Sequence, residues 1–170
     1  MKKTLIVLFV ALFAFAGSSF AQGKVKLGHI NSTDLMEIMP GRDSAQAVLQ
    51  KEATEAEEHI SLMQQELEAK YNRYHERQEG WSQQIRESEM NQIQDMNKRI
   101  YEYQQSAQKQ LQDRQEELFK PIVDRAKAAI AEVAKENGYS YIFDSAVGAL
   151  LYQEDSDDIL PLVKKKLGLK

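Results

Sequence analysis

The chain contains no cysteine, so it has no disulfide framework, thiolate nucleophile or thiolate metal ligand. Proline is scarce: Pro40, Pro121 and Pro161 are the full set, and Gly80 is the one glycine between Gly41 and Gly138. Two backbone breakers in about a hundred residues exclude a many-turned domain over that span. Only Leu5–Ala16 forms a long apolar run, and it is shorter than the ~20 residues a membrane span needs. A basic excess is missing too, with 22 Lys+Arg against 26 Asp+Glu, which argues against nucleic acid as the main partner. No Walker-type glycine-rich loop occurs, and no cofactor is expected.

The N-terminus has the layout of an export signal. Lys2 and Lys3 precede the apolar run, and Ser19-Phe20-Ala21 places small residues where a signal peptidase reads. Cleavage after Ala21 is expected, leaving Gln22 as the mature N-terminus. Without Lys2 and Lys3 the chain keeps 20 Lys+Arg against 26 Asp+Glu and becomes more acidic.

What is abundant is Gln, Glu, Lys, Arg and Ala at helical spacing. Leu49, Ala53, Ala56, Ile60, Met63, Leu67, Lys70 and Tyr74 recur at alternating steps of four and three. All but Lys70 are apolar. This narrow seam is the pattern of a helix lying on another helix. Ile93, Met96, Ile100, Tyr103 and Ala107 repeat it on a returning arm. Beyond them Leu111, Leu118, Ile122, Ala126, Ala129 and Val133 follow with drifting register. The pattern weakens around Gly80, so residues 42–137 are predicted to form an antiparallel hairpin turning between Gly80 and Ser88. Pro121 is expected to kink the second arm, and Asn137-Gly138 to end it.

Strand-like runs flank the hairpin. Lys24–Asn31 alternates, with Val25 and Leu27 on one face. Tyr139–Asp144 and Ala149–Tyr152 read as two strands around a turn at Ser145–Gly148. A short helix over Thr33–Met39, capped by Ser32 or Thr33, stops at Pro40-Gly41. A final helix through Leu167 is capped from Asp155-Ser156-Asp157. The fold class is therefore α+β, mostly α. Residues 22–41 and 138–170 form a small strand-built body, and residues 42–137 form a helical hairpin. About fifty residues outside the hairpin are marginal for an independent core. Open strand edges also invite pairing between copies. The candidate oligomerisation residues are Val25, Leu27, Tyr141, Ile142, Phe143, Leu150 and Tyr152.

Enzymatic readings find no support. His59 and His75 lie sixteen residues apart, about 24 Å along a helix, too far to share an ion, and His29 stands alone. Asp144, Glu154, Asp155, Asp157 and Asp158 suit caps and turns better than acid–base work.

The passages KVKLGHINSTDLM, MQQELEAK, PIVDRAKAAIAEVAKENGYSYIFD and DDILPLVKKKLG together make the chain resemble the Skp/OmpH family of periplasmic chaperones. The resemblance implies a homotrimer whose strands pool into a β-barrel, with hairpin tentacles around a cavity. That cavity would hold unfolded outer-membrane proteins in the periplasm without ATP. Tyr71, Trp81, Met90 and Tyr101 are candidate client contacts, although Trp81 also suits a role in closing the hairpin end. Residues 42–137 carry 14 Lys+Arg against 19 Asp+Glu, which argues against charge-driven docking on acidic membranes. The competing reading is a structural coiled-coil spacer or adaptor of the cell envelope.

Overall fold

The computed structural model describes residues 25–169. The expected signal segment, residues 1–21, lies outside them. None of the described helices is long and apolar enough to cross a membrane.

The described chain runs β1 (Leu27–Ile30), α1 (Ser32–Glu37), α2 (Arg42–Arg77), α3 (Gln83–Asn137), β2 (Tyr141–Asp144) and α4 (Leu160–Leu167). Short 3-10 turns lie at Gln78–Gly80 and Asp155–Asp157. The two strands pair in parallel, Leu27 with Tyr141 through Ile30 with Asp144. Parallel neighbours need a crossover, and here the crossover is α1 plus the whole hairpin.

Helix α1 begins one residue before its expected start, and its cap is neither Ser32 nor Thr33. Asn31 Oδ1 accepts from the Thr33 and Asp34 backbone N–H groups at 3.0 and 3.2 Å. The Ser32 hydroxyl is engaged elsewhere, donating to Asp144 Oδ2 at 2.6 Å. At Gly41 the backbone adopts φ 91°, a left-handed turn that side chains resist, and this redirects the chain into α2.

Helix α2 has 36 residues, about 54 Å of rise at 1.5 Å each. The reversal occupies Gln78–Ser82, at the early edge of the expected 80–88 stretch. Ser82 Oγ accepts from the Ile85 N–H and starts α3 there. The arms are therefore unequal. The 55 residues of α3 include a final portion that leaves the hairpin and becomes a wall of the body. Pro121 does not interrupt this helix. It removes one bond to Glu117, while Ile122 and Ala126 are buried and anchor the turns beyond it.

The core sits at the base. Ile30, Leu35, Met39, Ala45, Ile122, Ala126, Ala129, Val133, Ile159 and Val163 form one buried cluster. Elements from both ends of the sequence meet on α3 there. Helix α4 starts later than the expected cap: Asp158, and not Asp155–Asp157, accepts the Leu160 N–H, at 2.9 Å.

Ala149–Tyr152 forms no strand, contrary to expectation. The turn at Ser145–Gly148 is present, but Leu151 is fully exposed and Tyr152 is 80% exposed. The β2 backbone already pairs with β1 on one side, and no described segment joins its other edge. The β propensity of ALLY has no ladder within the protomer to act upon.

Candidate functional site

The arms close on each other along the expected seam. Every one of Leu49, Ala53, Ala56, Ile60, Met63, Leu67, Lys70 and Tyr74 is half-buried on α2. Facing them, Ile93, Met96, Ile100 and Ala107 are buried on α3, and Tyr103 is half-buried. Met63, Met96 and Tyr103 are thus used inside the hairpin. The Tyr103 ring meets His59 edge-on at 4.7 Å between centroids.

Polar contacts staple the same junction. Arg73 bridges to Glu89 near the tip, and Arg114 Nε donates to Glu52 Oε1 at 3.1 Å nearer the base. Hydrogen bonds to Glu117 first, and then to Glu52, hold the Arg114 guanidinium above its ordinary range. Lys70, the polar residue in the seam, reaches Gln92 at 3.5 Å and Glu66 at 4.0 Å.

Two of the grooves between the arms differ chemically. One is lined by Lys70, Gln92, Asp95, Lys98, Arg99 and Glu102 and carries charge throughout. The other contains no charged residue: Leu49, Ala53 and Leu111 lie in it beside Gln50 and Gln108.

The candidate contact residues of the arms separate into two groups. Tyr101 is 62% exposed and Tyr71 is 39% exposed, both off the seam. Trp81 and Met90 are half-buried. Trp81 stacks edge-on against Tyr74 at 6.0 Å, and the Trp81 carbonyl accepts from Arg86 Nη1 at 2.6 Å. Arg86 also donates to the Gln78 carbonyl at 3.2 Å. These contacts fasten the reversal, so Trp81 is part of its closure. Met90 lies with Tyr74, Gln83 and Arg86 in a recess beside the tip.

At the other end, the two-stranded sheet has one face on the core and one that is open except at His29. Ile30 and Ile142 point to the core. Leu27, Tyr141 and Phe143 alternate to the opposite face and stay exposed, as does Val25 just before β1. Ile142 thus differs from Tyr141 and Phe143 in packing against the core of its own protomer. Leu150 is half-buried in the irregular segment that precedes Leu151 and Tyr152.

His29 shares the strand but is buried at 6% exposure. The segment before α4 covers it. Its Nε2 donates to the Glu154 carbonyl at 2.9 Å, and its carbonyl accepts from the Ile159 N–H at 2.9 Å. Sequence reasoning missed this role because the cover comes from 125 residues away.

Three comparisons bear on this architecture. The family model described as outer membrane protein (OmpH-like) matches residues 26–167. No curated protein matches the chain. Among solved structures, a protein from Caulobacter crescentus CB15, provisionally described as an outer membrane chaperone (OmpH-like), superposes with a TM-score of 0.71. The sequences are 14% identical over 87% of this chain and 89% of that one, so this likeness speaks for the fold. With a small parallel sheet at the base, a closed hairpin above it and a family match over nearly all of the described residues, the chain belongs to the OmpH-like family.

Proposed function

We propose that the protein is an ATP-independent periplasmic holdase that keeps unfolded outer-membrane β-barrel proteins from aggregating. Three copies assemble through the open sheet face of the body, where Leu27, Tyr141 and Phe143 lie exposed, and pool their strands into a shared barrel. A lone two-stranded sheet with an uncovered apolar face is a poor end state for a protomer, which supports the assembly. The hairpins then project from one side and surround a cavity.

The observation that carries this reading is the division of labour along the arms. The seam buries its own aliphatic residues, yet Tyr71 and Tyr101 remain outside it. Arms joined by a narrow seam of small contacts, with aromatic side chains left over, suit many weak contacts with a guest. At roughly 25 cal/mol per Å² each contact is weak, and their sum over a cavity is strong. Such holding is tight overall and locally labile, so a client leaves as it folds.

The test is dilution of a urea-unfolded outer-membrane barrel into buffer with and without the protein, in the absence of nucleotide. Suppression of turbidity at stoichiometric trimer is expected. Unchanged aggregation would leave the spacer reading, which the continuous seam of the hairpin also fits.

A further inference from the structure

One flank of α3 is free of charge over a long distance. From Met90 to Leu118 the helix carries nine charged residues, among them Asp95, Arg99, Glu102, Lys109 and Asp113. None falls on the row through Gln94, Asn97, Tyr101, Gln104 and Gln108, which recur at steps of three and four. The row extends to Met90 in one direction and to Leu111, Gln115 and Leu118 in the other. Its length is about 42 Å at 1.5 Å per residue. Gln94, Asn97, Tyr101, Gln104, Gln108 and Gln115 are all exposed. Exposed helix faces carry charge by default, so a neutral row of this length is specific to this flank.

The row borders the uncharged groove, where Gln108 and Leu111 stand across from Gln50, Leu49 and Ala53. The charged residues of the same helix border the other groove, where Asp95, Arg99 and Glu102 lie near Lys70. The hairpin is thus two-faced along most of its length.

We infer that this carboxamide and tyrosine row is the surface that takes the guest, and that its ligand is an extended polypeptide segment of either net charge. The inference rests on the holdase reading and names the binding surface within it. An extended chain presents one unpaired N–H and one unpaired C=O per residue. A carboxylate only accepts and an ammonium only donates, whereas a carboxamide does both and rotates to suit. Neutral amides are also cheaper to strip of water than ions. Leu111 with Leu49 and Ala53 gives an apolar strip beside the amides. A β-barrel segment with alternating side chains meets both chemistries at once. Charge balance distinguishes this occupant from a lipid surface or nucleic acid, since either would call for a basic row.

The experiment compares full-length variants with charge placed on or off the row. Gln104→Glu/Gln108→Glu and Gln104→Lys/Gln108→Lys lie on it. Gln65→Glu/Ser106→Glu lies on exposed positions, with Ser106 on the opposite side of α3 from the row at about 100° per residue. Circular dichroism and light scattering check that fold and assembly mass match wild type. With one urea-unfolded acidic barrel and one basic barrel as probes, both on-row pairs are expected to weaken holding about tenfold for both clients. The off-row pair is expected to stay within twofold of wild type.

Equal holding by on-row variants and wild type would overturn the inference and leave the holdase reading standing. So would losses confined to the client of like charge to the introduced residues, or an altered assembly mass, which would mark the row as a contact between copies. A wild-type protein that holds neither client would remove both.

Discussion

The Asp144 carboxylate accepts the Ser32 hydroxyl at 2.6 Å and the Ser32 backbone N–H at 3.2 Å, joining the end of β2 to the start of α1 across 112 residues. Asp144 also accepts the Ala146 N–H at 2.9 Å. One side chain therefore closes the crossover and starts the turn that follows. The Ser32 hydrogen bond, with help from the two backbone donors, holds the Asp144 carboxyl below its usual range.

A depressed acid favours the folded state while it is ionised. Its contribution is present above the ordinary carboxylate range and is lost as pH falls through the lower folded value. Asp144→Asn is expected to cost about 1 kcal/mol at neutral pH. It should also flatten the acid limb of a stability curve followed by urea denaturation between pH 7 and 3. An unaltered acid limb would mean that the contact contributes nothing.

Ile142 and Phe143 are neighbours with opposite duties. Ile142→Asp places a charge against the core beneath the sheet and is expected to cost more than about 3 kcal/mol, visible as a large drop in Tm. Phe143→Asp sits on the open face. It should retain helicity by circular dichroism while lowering the mass by light scattering. The reverse pattern would invert the assignment of the two faces.

Lys70 interrupts an otherwise apolar seam between Leu67 and Tyr74, and its side chain is 22% exposed. Lys70→Leu is expected to stabilise the outer hairpin by about 1 kcal/mol through added apolar burial. Thermal unfolding checks this, and a lower Tm would show that the contacts to Gln92 and Glu66 outweigh burial.

Trp81 is the single tryptophan, and its contacts with Tyr74 and Arg86 belong to the reversal. Trp81→Ala is expected to speed amide hydrogen exchange between residues 76 and 86. Client holding should stay within about twofold. Strong loss of holding with unchanged exchange would make Trp81 a client contact instead.

The hairpin was legible because a helix against a helix writes its partner into a repeat. All eight seam positions from Leu49 to Tyr74 are half-buried as that repeat requires. The reversal was harder to place. Its position depends on how far α3 continues into the body, and Ile122, Ala126 and Val133 look like more of the same arm in sequence. Caps were misassigned where two residues of similar propensity compete. Asn31 won over Ser32 because Ser32 has a distant acceptor in Asp144, which no local pattern reveals. Ala149–Tyr152 has the composition of a strand, but a strand needs an edge to pair with. The charge-free row on α3 was readable in principle. A neutral stripe shows only when Gln94, Asn97, Tyr101, Gln104 and Gln108 are taken together at steps of three and four, because no single one of them differs from ordinary helix surface.

Light scattering of the protein mixed with a urea-unfolded outer-membrane barrel and diluted without nucleotide tests assembly and holding together. The account expects one soluble species with the mass of three chains plus one client. Free single chains beside aggregated client would contradict it.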